Sequence, residues 1–155
     1  MLPKLIRRDL EITENLPELM AEASYCTVAL NSPLDYPYVV AVNHVMYQGK
    51  LYFHCAQKGF KLDCLAHDNR VCLKAILQAD IVPEEYTTDY KSIVAFGKGQ
   101  LVEDPALKAV ILEKLMARFS PGIPLTKACS EEGIAKTAIV EITLEHITGK
   151  TNLLR

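Results

Sequence analysis

The sequence has little net charge and no long apolar run. Its 17 lysines and arginines against 19 aspartates and glutamates give a formal net charge of -2. This charge creates no strong field that would favour nucleic acid or an anionic membrane surface as a partner. The apolar runs fall short of the roughly 20 residues needed to cross a bilayer, and the first ten residues contain charges where a secretion signal would be apolar. We therefore expect a cytoplasmic protein without a membrane partner.

A cysteine pairing pattern is also absent. The five cysteines, at positions 26, 55, 64, 72 and 129, are odd in number and include no Cys-x-x-Cys pair. This excludes a disulfide framework and gives no zinc spacing, so we expect reduced thiols packed as small apolar side chains, and no metal. A chain of 155 residues can bury a proper core, and residues 1–155 are expected to form one domain.

Apolar periodicity predicts three helices. The first begins near Leu16, where Asn15 and Glu18 have the spacing of a capping box. The second covers residues 59–67, and the third runs from Asp104-Pro105 to Phe119.

Alternating apolar residues and turn signals predict six strands, over residues 25–30, 36–47, 50–56, 70–78, 92–102 and 137–144. Residues 36–47 are apolar at nearly every position, which predicts a strand covered on both faces. Residues 79–91 are interpreted as a loop and 121–133 as irregular, while Gly97 and Gly99 predict a bend or bulge. The pattern favours a mainly β fold: a six-stranded antiparallel barrel with about three peripheral helices.

Residues 47–63 join an apolar strand to a glycine-bearing turn and an apparent helix. The N–H groups of a helix start attract anions, and Lys61 in the first turn would add a full positive charge. The segment therefore predicts a phosphate site. On spacing alone, an ordinary turn at Gly59 with a solvated lysine is the favoured alternative.

Two other chemistries are compatible with the same region. His54 and Cys55, with the Cys-x-x-His pair Cys64 and His67, could hold a metal ion. Alternatively, Cys55 could act as a nucleophile with His44 or His54 as its base.

Two polar residues interrupt predicted strands. Asn43 and Lys74 lie among apolar neighbours, so each needs a hydrogen-bonding partner, either a bound ligand or a neighbouring backbone group.

Six segments together resemble the FMN-binding split-barrel proteins of the pyridoxamine 5'-phosphate oxidase-like superfamily. They are residues 38–43 (YVVAVN), 51–56 (LYFHCA), 59–63 (GFKLD), 92–97 (SIVAFG), 101–105 (LVEDP) and 146–150 (HITGK). Within that group the chain looks most similar to the nitroimidazole-resistance (Nim-type) branch, and the matches run in order from about residue 5 to 150.

The resemblance implies a homodimer with two FMN molecules in grooves where the subunits meet. Lys61 and the turn before it would hold the FMN phosphate, and Ser92 would contact the phosphate or ribityl chain. His54, Cys55 and Ala56 would line the ribityl and ring region, while Val42 and Asn43 would face the polar edge of the ring. Lys150 is a further candidate, acting across the dimer.

The implied activity is an oxidoreductase that passes electrons from a reduced nicotinamide to a small acceptor, with a nitroimidazole or other nitroaromatic among the candidates. His54 would be the catalytic group, donating a proton or hydrogen bond to substrate. The chain lacks the Ser-Arg-Lys turn of true pyridoxamine-phosphate oxidases, so vitamin B6 oxidation is not expected. The alternative is a sensor or carrier of the same fold that holds flavin or haem without turnover.

Overall fold

The computed structural model describes residues 1–3, 7–124 and 130–153. Its strands are β1 (Glu11–Ile12), β2 (Cys26–Asn31), β3 (Pro37–Val42), β4 (Val45–Tyr47), β5 (Lys50–Ala56), β6 (Arg70–Val82), β7 (Thr87–Leu101) and β8 (Thr137–Thr151). Its helices are α1 (Leu16–Glu22), α2 (Phe60–His67), α3 (Pro105–Phe119) and α4 (Glu131–Lys136), with short 3-10 helices at Arg8–Leu10 and Pro83–Glu85. Within these ranges, no helix is both long and apolar enough to span a membrane.

The strands form one antiparallel sheet in the order β3-β2-β6-β7-β8-β5-β4, with β1 added beside β8. The predicted mainly β, antiparallel class with peripheral helices is confirmed. The predicted counts of six strands and three helices are wrong, because the described residues form eight strands and four α-helices.

The predicted loop over residues 79–91 is wrong. β6 continues to Val82 and β7 begins at Thr87, and these two residues pair beside the turn. Here the two strands pair with each other beyond the end of β2, and they project as a hairpin arm. Both faces of the arm meet solvent, as Ile81 with its 79% exposure shows, so no apolar alternation marks it in the sequence.

The predicted strand over residues 36–47 is two strands. The chain breaks at Asn43 and His44, after which β4 pairs with β5 while β3 pairs with β2. β3 is the sheet edge and its residues alternate in exposure, with Val39 58% exposed. The prediction that both faces of the strand over residues 36–47 are covered is therefore wrong for a single chain.

Several helices and strands also begin or end differently from the prediction. Asn15 precedes α1 with a positive φ of 57° and its side chain forms no cap, so the predicted capping box is absent. β8 continues past Leu144 to Thr151 because it stays paired with β7. Of the segment predicted to be irregular, residues 131–133 begin α4, while residues 125–129, including Cys129, lie outside the described residues.

The main core fills the inside of the curved sheet, around Phe53, Leu73 and Ile142. A smaller core lies where α3 packs on the outer face, between Ile111 and Ile139. α2 follows β5 and packs against β2 and β3, so it covers one side of the curved sheet.

A bulge divides the long β7–β8 ladder. The register shifts between Phe96 and Gly97, which confirms the irregularity predicted there. A side chain at position 97 would overlap the carbonyl oxygen of Thr143, so only glycine lets the two backbones approach this closely.

A fully buried histidine joins α1, β4 and α3. The ring Nε2 of His44 lies 2.7 Å from the carbonyl oxygen of Met20, and its Nδ1 has no partner among the described residues. Arg118 donates to the carbonyl oxygens of His44 and Ala23 at 3.0 and 2.7 Å. Burial, and then the nearby charge of Arg118, lowers the pKa of His44, so the ring is neutral in the folded protein.

Acid should therefore destabilise the fold through His44. The unfolded chain takes up this proton as pH falls below about 6.5, whereas the folded chain does so only at lower pH. The free energy of unfolding should fall across that window, by at most about 1.4 kcal/mol per pH unit from this group. In urea unfolding between pH 7.5 and 5, His44→Gln should show a shallower fall than the wild type. Equal slopes would contradict the assignment.

Candidate functional site

The turn between β5 and α2 has the features of an anion site. Gly59 precedes the helix at a φ of 151°, which favours glycine, and no side chain caps the first turn. The first N–H groups of a helix have no partner within it, so they are open to an anion. Lys61 is half-buried in this turn and forms no hydrogen bond or ion pair with the residues that the structure describes.

Packing sets the position of Lys61. The ring of Phe60 meets that of Tyr38 on β3 edge to face, with centroids 4.9 Å apart. Leu62 packs against the main core. Since apolar contacts hold both its neighbours, Lys61 stays at the edge of the helix start beside the end of β5.

His54 and Cys55 lie on opposite faces of β5, because successive strand residues alternate. Cys55 packs against the main core, and burial raises the pKa of its thiol, although the charge of Lys61 opposes that rise. His54 faces outward beside Ile139, and desolvation by its surroundings lowers its pKa. The structure does not support the hypothesis of a cysteine nucleophile, since Cys55 is paired with neither His54 nor the buried His44.

The metal hypothesis also lacks a ligand cluster. Cys64 is fully buried in the main core. Across the described ranges, no three histidine, cysteine or carboxylate side chains come together as metal ligands.

Val42 and Asn43 lie at the end of β3. Val42 packs against the main core, and Asn43 is exposed. One amide N–H of Asn43 donates to the carbonyl oxygen of Ser24 at 3.0 Å, so a backbone group satisfies part of this side chain. Its second N–H can still donate to a ligand.

Ser92 and Lys150 face each other across β7 and β8. Ser92 is buried and accepts a hydrogen bond from Lys74 Nζ at 3.0 Å. Lys74 therefore belongs with this pair, although the sequence analysis did not place it in the site. The sequence signal for Lys74 was a charged residue within an otherwise apolar strand.

Predicted residues lie beside both ends of β8. His54 pairs with Ile139, whereas Lys150 lies eleven residues further along β8. At 3.2 to 3.4 Å per residue, the strand path between them is about 35 Å. Lys61 lies near Cys55 at the end of β5, and Ser92 lies opposite Lys150 on β8.

A cavity of about 660 Å³ lies between α2 and the turn after β7. None of the predicted site residues lines it. Its wall includes Glu141, which accepts hydrogen bonds from Lys50 and Tyr52 at 2.7 Å and from Gln100 at 2.8 Å. With three donors on one carboxylate, Glu141 is a satisfied buried charge.

The family assignment rests on nearly the whole chain. The profile of the pyridoxamine 5'-phosphate oxidase family matches residues 13–151. The chain belongs to this family. The resemblance predicted from the sequence, to the FMN-binding split-barrel superfamily that contains it, is confirmed.

Solved structures of the same fold include three that match closely in shape. A candidate 5-nitroimidazole antibiotic resistance protein from Bacteroides thetaiotaomicron has a TM-score of 0.79 at 23% identity, covering 91% of this chain and 86% of its own. A flavocytochrome from Azotobacter vinelandii has a TM-score of 0.77 at 18% identity, covering 95% and 72%. A FAD- and haem-binding protein from Mycobacterium smegmatis has a TM-score of 0.75 at 20% identity, covering 90% and 71%. At these identities the likeness establishes the fold, and none of the curated proteins compared with the chain matches it.

The placement of Lys61 beside Cys55 can be tested without a ligand. Because the Lys61 charge opposes the raised pKa of the thiol, Lys61→Met should raise the pKa of Cys55 further. Alkylation of Cys55 should then be slower at each pH near 8. The product at Cys55 is recognised because it is missing in Cys55→Ser. Lys58→Met removes the same charge from the exposed turn and serves as the control. An equal effect of both variants would contradict the placement.

Proposed function

We propose that the protein binds FMN with its phosphate at the Lys61 site, and that it is an oxidoreductase. It would pass electrons from a reduced nicotinamide to a small acceptor such as a nitroimidazole or another nitroaromatic. The observation that carries the proposal is the unpaired Lys61 at an uncapped helix start near Cys55 at the end of β5, in a chain of this family.

The phosphate of FMN suits this site because it is a dianion near neutral pH. The open N–H groups of α2 provide directed donors and Lys61 provides a full charge. The Lys61 ammonium loses no intramolecular ion pair on binding, since no carboxylate among the described residues holds it.

His54 is the proposed catalytic residue. Its lowered pKa keeps the ring mostly neutral near pH 7, so it can donate one N–H hydrogen bond to an acceptor. Asn43 would use its free N–H toward the polar edge of the flavin ring, while Val42, Cys55 and Ala56 would line it. The flavin supplies the electron-transfer chemistry, and these side chains position the reactants.

A homodimer with FMN where the subunits meet is supported by apolar residues exposed on the outer face of the sheet. The exposed apolar residues Val39 and Ile76 on the outer face would be covered by such a partner. The single domain over residues 1–155 and the cytoplasmic location stay predictions.

A carrier or sensor that holds flavin or haem is the second candidate. It is supported by two fold neighbours, the flavocytochrome and the FAD- and haem-binding protein. His54 would be the axial ligand, since His44 is buried with its Nε2 on Met20. Two results together would favour this candidate. The protein would show a Soret band after haem is added, and its flavin-loaded form would not turn over with a reduced nicotinamide.

Loss of the Lys61 charge should weaken FMN binding. A charge-assisted phosphate contact contributes about 1.5 to 3 kcal/mol, so Lys61→Ala should raise the FMN dissociation constant roughly 10- to 100-fold. Fluorescence titration of the flavin-free protein measures this, with Lys58→Ala as the control for charge. An unchanged constant in Lys61→Ala would show that the phosphate binds elsewhere.

Removal of the His54 ring should affect turnover more than cofactor retention. A positioned proton or hydrogen-bond donor contributes about 10²- to 10⁴-fold to a rate. We expect His54→Ala to lower kcat for anaerobic reduction of a nitroimidazole by NADH or NADPH, with an FMN dissociation constant close to that of the wild type. Weak FMN binding with normal kcat would reverse the assigned roles.

A further inference from the structure

The β2–β3 ladder ends just before the Asn43 corner, residues 43–44, where the chain passes from β3 to β4. Cys26 and Val42 form the last pair of that ladder, so the residues before β2 and after β3 are not joined by strand pairing. Ala23 is 4% exposed and His44 is fully buried. Their carbonyl groups therefore need hydrogen-bond donors from elsewhere in the chain.

One side chain supplies both donors. Arg118 of α3 donates from Nη1 to the carbonyl oxygen of His44 at 3.0 Å and from Nη2 to that of Ala23 at 2.7 Å. Within the described part of the chain no carboxylate forms an ion pair with Arg118, and Glu22, the neighbour of Ala23, is exposed. Because the guanidinium is planar and rigid, its two contacts hold the two segments together where backbone pairing has stopped.

The side chain of Asn43 adds a second link between the same segments. One of its amide N–H groups donates to the carbonyl oxygen of Ser24, the residue next to the Ala23 carbonyl that Arg118 holds. Since this bond fixes the planar amide, it also fixes the direction of the second N–H. Asn43 is exposed, so a ligand can reach that N–H. The direction of the free donor therefore depends on how the two segments are held together.

We propose that Arg118 is a positioning residue for the flavin, because its bonds to Ala23 and His44 set where Asn43 presents its free N–H. This inference rests on the proposed function, in which that N–H meets the polar edge of the flavin ring. A hydrogen bond there stabilises the reduced flavin more than the oxidised flavin, since reduction adds negative charge to that edge. Arg118 thus raises the flavin potential, and it does so through Asn43.

Lys114 offers a matched control on the same helix. It lies one turn before Arg118 and carries the same charge, but its Nζ lies over the Tyr47 ring, 4.7 Å from the ring centre. Lys114→Met and Arg118→Met each remove one positive charge from α3. Only Arg118→Met removes the donors from the two buried carbonyl groups.

The first experiment follows the side-chain amide signals of Asn43 by NMR in the flavin-free protein. These signals are assigned by their loss in Asn43→Ala. In Arg118→Met they should shift toward the values of a solvent-exposed asparagine, because the corner is no longer held, and in Lys114→Met they should stay as in the wild type. Unchanged Asn43 signals in Arg118→Met would overturn the proposal. Since no flavin is present, this result does not depend on the proposed function.

The second experiment measures the midpoint potential of bound FMN by anaerobic spectroscopic titration. Asn43→Ala and Arg118→Met should each lower it, by about 30 mV if the preference for reduced flavin falls tenfold. The double variant should match Asn43→Ala alone, because Arg118 acts through Asn43. An additive lowering would mean that the charge of Arg118 acts directly on the flavin. That result, or an unchanged potential in Arg118→Met, would overturn the proposal.

Circular dichroism checks that each variant is folded. If Arg118→Met does not fold, Arg118→Gln replaces it in both experiments, since its amide can still donate to one carbonyl group and the same directions are expected. Wild-type protein that binds no FMN would contradict the proposed function. The Asn43 signals of the flavin-free protein would still report whether Arg118 holds the corner, so the two failures are distinguishable.

Discussion

The close approach of β7 and β8 at Gly97 is the constraint on which the layout of the molecule depends. The bulge at this point lets β8 follow β7 along nearly its whole length while its first half also pairs with β5. The two ends of β8 therefore belong to different parts of the surface. One end lies beside His54, and the other carries Lys150 opposite Ser92.

Electrostatics then distinguish the two groups of residues. At the start of α2, Lys61 acts together with backbone N–H groups, and apolar contacts of Phe60 and Leu62 hold the turn in place. On β7, the buried Ser92 accepts a hydrogen bond from Lys74 of β6 and lies opposite Lys150 of β8. Lys61 has no acidic partner among the described residues, whereas Glu141 is enclosed by its own donors.

The sequence predicted the Lys61 turn well because its signals are local. A strand, a glycine turn and a helix start follow one another within residues 50–67, so no distant contact was needed to recognise them. The arm formed by the ends of β6 and β7 was not predicted, because strands that are exposed on both faces show no apolar alternation in their sequence. Tertiary packing likewise sets Asn15 in a left-handed conformation that excludes its predicted cap.

The contact between Lys74 and Ser92 could not be read from either strand alone. It depends on the register of two strands whose contacting residues lie 18 positions apart, and the sequence shows only that Lys74 needs a partner. The Lys50 and Glu141 pair spans 91 positions and left no sequence signal at all. Contacts of this kind follow from the register of the sheet, which no single segment of the sequence shows.

The anaerobic visible spectrum of the FMN-reconstituted protein, before and after addition of NADH or NADPH, tests the central claim most directly. The account predicts that gel-filtered protein keeps the flavin absorbance bands and that the reduced nicotinamide bleaches them. Protein that emerges colourless after reconstitution with FMN would contradict it.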